Sequence, residues 1–589
     1  MKESAQAAVL AEVAALLEAT LGEEKARADA IAAALPRHRA SAANLAHYLA
    51  LRTRDVRKLQ LSLAALGLSS LGRSEGHVRD TLERICGWLS ASASSSKESL
   101  SREKAESLLH ENTRALLGAK PADRHVYIMV TAPAAAEATQ AWADELLQAG
   151  TDVLRINGAH EGPEQWTAIA GMFKARAAAL GKTGRVLVDL PGPKLRAEIR
   201  QLEEAVLHLP RRKDRMGRTV APTELLLVEA YAAEGQLPMP AAWLKEMKNG
   251  DEIVFFDAGG RERSLAVRGK VEGGVAAHCD RSLYLAGGLK LAWRRGGKTL
   301  GEGRLGDLPK QPRELRLGIG DRLVVNSTGL APDPALPVLA LAEPALLAQV
   351  RPGERVVLDD GRVTAVVETA IGDTLECKVQ RTHREAAHVR SGKGIAFPDS
   401  ALSLGHFGAQ DEAALAFALE KADAVGASFI AAAADVARVV ARLRASPRPI
   451  GLVLKLETRG AMDNLPAILF EALKYEPVGL MIARGDLAVE LSFERLAEMQ
   501  EELLWFGEAC HLPVIWATQV LDSMAHSGVP TRAEVTDAAM AGRAECVMLN
   551  RGPYIGAAVR MLADIIRKME THQFKKRAIY RPLKMAGHP

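Results

Sequence analysis

The feature of this sequence that most limits its fold is a repeated unit in which a short apolar run precedes a loop and an amphipathic helix. Eight such runs follow residue 122, and each has the length and the β-branched content of a buried strand. The runs are VYIMVT (126–131), DVLRIN (152–157), RVLVDL (185–190), ASFIAA (427–432), GLVLKLE (451–457), GLMIARGD (479–486), PVIWATQ (513–519) and CVMLN (546–550). Eight β/α units predict an α/β fold of the TIM (β/α)8 barrel type, in which the active site lies at the C-terminal ends of the strands.

The pattern of residue types changes along the chain, and this change predicts several domains. Short Val, Ile and Leu runs separated by Gly-Asp, Gly-Gly and Pro-Gly turns lie between the third and fourth β/α units, and this pattern is typical of an all-β module. Within it, 249–267 and 351–368 share one order of turns and strands, which indicates two related β units. The predicted parts are an N-terminal helical extension (1–122), the barrel (123–200 and 391–570), an inserted β lid domain (201–390) and a basic tail (571–589).

Composition and charge exclude several classes of function. The 76 basic and 72 acidic residues leave a net charge of +4, so no nucleic-acid partner is predicted. The five cysteines have no C-x-x-C spacing, which predicts neither a disulfide framework nor a zinc site and is typical of a reducing compartment. The chain lacks a signal-peptide pattern, and its apolar runs fall short of the roughly 20 residues that cross a membrane. We therefore expect a cytoplasmic protein that does not bind membranes.

Charged side chains end the fifth and sixth apolar runs. Lys455 and Glu457 are separated by one residue, so on a strand both side chains point to the same side. Asp486 ends the next run. Carboxylates are the usual protein ligands of Mg²⁺, and a lysine beside such an ion is placed to stabilise an oxyanion. The pattern therefore predicts a divalent-metal site formed by Glu457 and Asp486.

Four motifs, occurring in order, resemble those of the pyruvate kinase family. RINGAH (155–160) is similar to its R-N-S-H turn and VDLPGPKLR (188–196) to D-T-K-G-P-E-I-R, while ATQVLDSM (517–524) and PTRAEVTD (530–537) are similar to A-T-Q-M-L-E-S-M and P-T-R-A-E. The resemblance implies the glycolytic transfer of phosphate from phosphoenolpyruvate to ADP with Mg²⁺ or Mn²⁺. It is compatible with a homo-oligomer formed through the barrel. It also leads us to expect that the family's C-terminal regulatory domain is absent.

The same resemblance assigns roles to individual residues. Taken singly, each arginine in the set is also compatible with an exposed ion pair, Thr518 with a core residue and His160 with a solvated surface residue. The residues and their implied roles are Lys455 at the moving phosphoryl group, Arg155 and Arg196 on phosphate oxygens, Glu457 and Asp486 on the metal, Gly485, Asp486 and Thr518 at the substrate carboxylate, and His160 and Asp360 at the nucleotide.

Three motifs depart from the family pattern. The strand-eight motif S-G-E-T reads Asn550-Arg551-Gly552-Pro553, so a carboxylate on the proton path to the enolate is missing. The turn G-V-N-L-P-G after the lid reads GIAFPD (394–399).

The third departure concerns the family's K⁺ site. Its Ser and Thr ligands are replaced by Ala159 and Leu190, whereas Asn157 and Asp189 remain. Lys194 stands where the family has a glutamate. We therefore expect activity without K⁺, with Lys194 supplying a tethered cation, the alternative being that Lys194 points to solvent.

Two other functions fit parts of this pattern. Metal-dependent aldolases and lyases that act on a pyruvate enolate also place E-T and G-x-D-L at successive barrel strands. A catalytically degenerate homologue would bind the ligands without turnover, which the altered strand-eight motif would explain. Lys455, Arg155 and the inserted domain favour the kinase over the lyase.

Overall fold

The computed structural model describes residues 2–90, 99–204, 206–210, 212–213, 219–233, 235–331, 333–400, 407–574 and 577–578. Most of the predicted basic tail, from residue 579 on, lies outside these ranges. No described helix is long and apolar enough to cross a membrane. The chain forms two compact units: unit 1 comprises Met1–Leu195, Glu354–Gly361 and Ile395–Pro589, and unit 2 comprises Arg196–Gly353 and Arg362–Gly394.

The N-terminal part of unit 1 is helical. Its regularly spaced Leu, Val and Ala residues place one face of several helices in a shared core, in which Val13, Leu63, Leu82 and Ile85 are fully buried. Its described residues form the helices α1 (Lys2–Ala26), α2 (Ala28–Ala33), α3 (Arg39–Arg52), α4 (Arg57–Ala65), α5 (Val78–Leu89) and α6 (Arg102–Leu117), with a 3₁₀ turn at Pro36–His38.

Eight parallel strands close into a barrel in which the spatial order of the strands is their order along the chain. This confirms the predicted TIM barrel. The register sets side chains of neighbouring strands side by side, as with Asn157 opposite Asp189. The strands are β1 (Tyr127–Thr131), β2 (Val153–Asn157), β3 (Arg185–Asp189), β4 (Ala424–Ala427), β5 (Gly451–Leu456), β6 (Val478–Ala483), β7 (Val514–Ala517) and β8 (Cys546–Leu549).

The fourth strand is displaced from its predicted position. The sequence predicted a strand at 427–432, but β4 ends at Ala427 and Phe429 has a φ of +56°, which a strand does not allow. The true strand, AVGA, is less apolar because space is short: a Cβ on Gly426 would overlap the Asp189 carboxylate. The prediction was wrong because the more apolar ASFIAA forms mainly the loop that follows β4.

Helices surround the barrel and connect its strands. Their ends are capped by local sequence, as in α7, where the Thr139 hydroxyl accepts from the Trp142 N–H and Gly150 ends the helix with a φ of +116°. These helices are α7 (Gln140–Ala149), α8 (Pro163–Ala179), α9 (Ala409–Lys421), α10 (Ala433–Arg444), α11 (Arg459–Asp463), α12 (Leu465–Ala472), α13 (Arg484–Leu491), α14 (Phe493–Cys510), α15 (Asp522–Ser527), α16 (Arg532–Ala541) and α17 (Ile555–Glu570).

Helix α6 closes the N-terminal end of the barrel. The Leu116 side chain is 2% exposed and packs with residues of the barrel interior such as Met129 and Met481. A Cβ on Gly451 would lie 2.6 Å from Leu116 Cδ1, and one on Gly479 would lie 2.5 Å from Leu116 Cδ2. The absence of side chains at the starts of β5 and β6 therefore makes the space that Leu116 fills.

Polar contacts hold the other N-terminal helices on the end of α14. The buried His511 ring lies 2.9 Å from the Ser41 hydroxyl through Nδ1 and 2.8 Å from the Gly76 carbonyl through Nε2. The Asn44 amide donates to the Ala509 carbonyl at 2.9 Å. Buried polar groups that are satisfied in this way fix one docking position for the extension.

Unit 2 contains two sheets with the same strand order. In the first, 236–238 pairs in parallel with 223–228, which is followed by 274–279 and 262–271 in antiparallel pairing. In the second, 338–340, 322–326, 374–382 and 363–371 follow one another with the same directions. This is the arrangement that the two related sequence stretches indicate.

Further strands and two short helices occur in the described part of the chain. The strands are Arg196–Ala197, Leu202–Glu204, Leu207–Leu209, Arg212–Lys213, Thr219–Ala221, Thr223–Val228, Gln236–Pro238, Glu252–Phe256, Glu262–Val271, Gly274–Cys279, Leu283–Leu285, Lys290–Arg295, Lys298–Arg304, Lys310–Pro312, Leu315–Gly318, Arg322–Asn326, Val338–Ala340, Arg355–Leu358, Val363–Ile371, Thr374–Thr382, Ala386–Val389, Lys393–Ala396, Gln573–Phe574 and Arg577–Ala578, and the helices are Ala241–Glu246 and Pro344–Leu347.

Candidate functional site

The C-terminal ends of the barrel strands bring most of the predicted site residues to one face of unit 1. Parallel strands end at the same side of a barrel, so residues far apart in sequence become neighbours there. These residues are Arg155 on β2, Asp189 on β3, Lys455 and Glu457 at the end of β5, Gly485 and Asp486 after β6, and Thr518 after β7.

Lys455 lies at the centre of this group and is only 12% exposed. Its Nζ donates to the Ser428 hydroxyl at 2.7 Å, and it lies 3.4 Å from Glu457 Oε2 and 3.5 Å from Asp189 Oδ2. Burial alone would lower the pKa of Lys455, but the Glu457 and Asp189 carboxylates outweigh it and hold that pKa above its usual value. The site therefore contains a fixed positive charge.

The Asp189 carboxylate links this lysine to Arg155. Arg155 Nε and Nη2 lie 2.8 Å and 2.7 Å from Asp189 Oδ2, and Nη1 donates to the Thr131 hydroxyl at 3.1 Å. Burial alone would raise the pKa of Asp189. The positive charges of Arg155 and Lys455 lower it by more than burial raises it, so the pKa lies below its usual value. Asp189, predicted from sequence as part of a former K⁺ site, thus orients the two cations.

Glu457 is a buried carboxylate with an oxygen that lacks a hydrogen bond. Its Oε1 accepts from the Phe429 N–H at 2.7 Å, whereas Oε2 accepts no hydrogen bond and has Lys455 Nζ at 3.4 Å. Burial, helped by the negative charge of Asp486, raises the pKa of Glu457 to about 7. Such an oxygen fits a bound cation. No cluster of three or more His, Cys, Asp or Glu side chains suited to a metal occurs in the described part of the chain.

Lys194 pairs with Asp486 rather than with the residues of the predicted K⁺ site. Its Nζ lies 2.8 Å from Asp486 Oδ1 and 3.5 Å from Asp360 Oδ1. Burial would lower the pKa of Lys194, but these two carboxylates raise it above its usual value. Among the described residues it makes no hydrogen bond or ion pair with Asn157 or Asp189. The Asn157 side chain instead accepts from the Ala159 N–H at 3.2 Å.

The turn after β7 is strained and carries Thr518. Thr518, Gln519 and Leu521 have φ values of +68°, +57° and +48°, which a β-branched residue such as threonine rarely adopts. The strained turn points the Thr518 hydroxyl at the start of α13, where it accepts from the Gly485 N–H at 3.0 Å. Backbone N–H groups and a hydroxyl at a helix N-terminus suit a carboxylate or phosphate.

Arg484 and Ser428 take part in the site, and sequence reasoning missed both. Arg484 pairs with both oxygens of Asp537 at 2.5 Å and 2.8 Å and donates to the carbonyls of Ala517 and Thr518. It thus holds the strained turn in place. The sequence signal that could have identified this pair is its position in two motifs. Arg484 stands in the ARGD run, and Asp537 ends the PTRAEVTD motif. Ser428 lies in the loop that was predicted to be a strand.

The residues predicted to contact the nucleotide line two separate cavities at this face. One, of about 540 Å³, lies at the ends of β1, β2 and β8 and is lined by Arg155 and His160. The other, of about 380 Å³, is lined by Lys194, Asp360 and Asp486. His160 and Asp360 therefore line different cavities. Arg196 belongs to unit 2, where its Nη1 donates to the Gly392 carbonyl at 3.2 Å.

The strand ends of this closed (β/α)8 barrel bring two oriented cations and a buried carboxylate beside a helix N-terminus. This arrangement suits a small anionic ligand. Residues 302–557 match the sequence model of the pyruvate kinase barrel domain, a stretch that includes strands β4 to β8. In this region the chain is similar to the pyruvate kinase family, and curated pyruvate kinases share the similarity.

Curated pyruvate kinases from different organisms are similar to part of this chain. A pyruvate kinase of Mycobacterium tuberculosis strain H37Rv is 38% identical over 225 residues, covering 37% of this chain and 46% of the relative. One of Leishmania mexicana is 35% identical and covers 37% of this chain and 43% of the relative. One of Thermococcus litoralis is 31% identical over 307 residues, covering 51% and 60% respectively. The chain thus spans about half the length of the curated relatives it matches.

Proposed function

We propose that the protein is a pyruvate kinase that transfers a phosphoryl group from phosphoenolpyruvate to ADP, uses Mg²⁺ or Mn²⁺, and does not require K⁺. The observation that carries the proposal is the placement of Lys455 within 3.5 Å of both Glu457 and Asp189, with Arg155 on the same aspartate. Phosphoryl transfer is catalysed mainly by positioning and by fixed positive charge around the moving group. Two oriented cations beside a buried carboxylate match that requirement.

The residues at the site fit a divalent ion. Glu457 Oε2 lacks a hydrogen bond, and Asp486 stands at the start of the neighbouring helix α13. One or two carboxylates plus water and substrate oxygens form the usual ligand set of Mg²⁺. When bound, the ion neutralises negative charge on the enolate oxygen of the substrate.

The remaining residues bind and orient the substrates. Lys455 and Arg155 stabilise the charge on the phosphoryl group, and Asp189 fixes both cations in place. The Thr518 hydroxyl, which accepts from the Gly485 N–H, donates to the carboxylate of phosphoenolpyruvate at the N-terminus of α13. The 540 Å³ cavity next to Arg155 receives the nucleotide, with His160 in its lining.

The lyase alternative is less well supported. A lyase that forms a pyruvate enolate needs a metal and a carboxylate site but no cations for a phosphoryl group. In such an enzyme Lys455 and Arg155 would have less substrate charge to stabilise, because the enolate carries no phosphoryl group. The degenerate homologue is motivated by Asn550, whose amide donates to Asp522 Oδ1 at 3.3 Å where the family motif has its proton path.

One experiment separates the three functions. The purified protein is incubated with phosphoenolpyruvate, ADP and Mg²⁺, and both ATP and pyruvate are measured, with Glu457→Gln as the inactive control. Equal formation of ATP and pyruvate by the wild type alone supports the kinase. Cleavage of a 2-keto-4-hydroxy acid without ATP formation supports the lyase. Thermal stabilisation by phosphoenolpyruvate without turnover indicates a degenerate homologue and contradicts the proposal.

A further inference from the structure

The altered strand-eight turn borders the 540 Å³ cavity. The cavity is lined by the ends of β1 and β2 and by Asn550 and Arg551, which follow β8. In the closed barrel β1 lies between β8 and β2. Arg551 and Arg155 therefore flank the end of β1 from opposite sides. A volume of this size is within the range of small-ligand sites.

The lining of this cavity carries two arginines, and they differ in their pairing. Arg155 is paired with Asp189, so its charge is balanced within the protein. The carboxylate in the lining, Glu161, accepts from the Ala135 N–H at 2.7 Å. Arg551 is exposed and forms no hydrogen bond or ion pair with any residue that the structure describes. An unpaired guanidinium on the wall of a cavity is a binding group for an anion.

The backbone that carries Arg551 is held firmly in place. The Asn550 amide donates to Asp522, and the Tyr554 N–H donates to the Ala525 carbonyl at 2.9 Å. A Cβ on Gly552 would overlap that carbonyl, so glycine is required for the close approach. The turn is therefore fixed against α15, while the side chain of Arg551 remains exposed to bind a ligand.

We propose that Arg551 binds a phosphate of the acceptor nucleoside diphosphate, so that its polyphosphate lies across the end of β1 between Arg551 and Arg155. This inference rests on the proposed function. The strand-eight turn, which lacks the family's carboxylate, contributes a cation for nucleotide affinity in its place. The planar guanidinium can give two parallel hydrogen bonds to phosphate oxygens, which a lysine cannot.

The test compares Arg551→Gln with the wild type in two assays. In steady-state kinetics we expect the KM for ADP to rise about tenfold, the loss typical of one charged hydrogen bond, with the KM for phosphoenolpyruvate unchanged. In calorimetric binding without phosphoenolpyruvate, ADP affinity should fall by a similar factor while adenosine affinity stays the same. Arg551→Lys should restore only part of the ADP affinity.

Arg560→Gln is the matched control. Arg560 is an exposed arginine on the following helix, α17, and it pairs with Glu145 at 3.3 Å, outside the cavity lining. This variant should bind ADP like the wild type. Because Arg551 is exposed, Arg551→Gln should also unfold at the wild-type temperature, and this is checked before binding is measured.

The outcomes separate this inference from the proposed function. If the wild type turns over and Arg551→Gln binds ADP as tightly as the wild type, the role of Arg551 is refuted and the kinase stands. If ADP binding depends on Arg551 but phosphoenolpyruvate is not consumed, the role of Arg551 stands and the kinase fails. An equal loss of adenosine and ADP binding would mean that Arg551 does not act on the phosphates and would overturn the inference.

Discussion

The ammonium group of Lys194 lies 2.8 Å from Oδ1 of Asp486, and the two residues are 292 positions apart in the chain. Both side chains are about one-third exposed, at 30% and 33%. A side-chain cation is therefore in contact with one of the two carboxylates that we propose as metal ligands. It also lies 3.5 Å from Asp360, so Lys194 reduces the negative charge in this cavity without any bound monovalent ion.

We predict that the enzyme is active without K⁺, because Lys194 supplies a fixed positive charge at the site. Wild-type activity in tetramethylammonium buffer, free of Na⁺ and K⁺, should change little when K⁺ is added. Lys194→Glu should inactivate the enzyme without rescue by K⁺, because it adds a third carboxylate beside Asp486 and Asp360. Adding Ala159→Ser and Leu190→Thr to that variant should create some dependence on K⁺. Strong activation of the wild type by K⁺ would overturn the prediction.

Replacing Lys455 with methionine should lower kcat by about three powers of ten, the scale found for a cation at a phosphoryl transition state. Methionine keeps most of the buried volume and removes the charge. The measurement is kcat at saturating substrates, with circular dichroism to confirm folding. Lys421→Met, at an exposed surface lysine paired with Glu420, serves as the control and should keep full activity. A Lys455→Met enzyme with normal kcat would rule out the proposed role.

Metal binding should weaken below about pH 7. The raised pKa of Glu457, about 7, means that a proton competes with the ion for its carboxylate. We expect the apparent Kd for Mn²⁺ to rise by up to about tenfold for each unit of pH below 7 and to be flat above it. Calorimetric titration with Mn²⁺ across this range measures the effect. Glu457→Gln should bind Mn²⁺ weakly at every pH, and the same slope in this variant would assign the effect to another group.

The same group affects the stability of the metal-free protein in the opposite direction. The folded state binds the proton more tightly than the unfolded chain, in which a glutamate has its usual pKa of 4.5. The free energy of unfolding contributed by Glu457 therefore falls as pH rises from about 4.5 to about 7. Urea unfolding in the presence of a chelator should show this slope in the wild type, and Glu457→Gln should lose it.

Leu116→Ala should destabilise unit 1 by about 2–5 kcal/mol, because it empties the space between Gly451 and Gly479 at the base of the barrel. The measurement is the free energy of unfolding in urea. Leu66→Ala, at a leucine that is 43% exposed in the N-terminal extension, should change it by less than about 0.5 kcal/mol. Equal effects of the two substitutions would show that Leu116 does not plug the barrel.

The barrel could be predicted because local sequence determines where the strands lie. Each strand is an apolar run of suitable length, followed by a segment with helical spacing of apolar residues. Lys455 and Glu457 could be predicted for the same reason, since alternation along one strand fixes their common side. Two ion pairs could not be predicted, Lys194 with Asp486 and Arg484 with Asp537. They depend on which loops lie next to each other in the fold, and no local sequence pattern encodes loop proximity. The fourth strand was misplaced because its small residues are required by the neighbouring Asp189 side chain, so the strand lacks a strongly apolar pattern.

The chain enters and leaves the first of the two similar sheets in unit 2 at neighbouring positions. The strands Leu202–Glu204 and Lys310–Pro312 pair with each other, and the Arg313 N–H donates to the Gln201 carbonyl at 2.8 Å. A short turn between Gln201 and Arg313 would therefore replace the intervening segment with little movement of the chain on either side. Because its two ends lie side by side, this segment is the place at which we expect the chain to tolerate exchange for another domain with equally close termini.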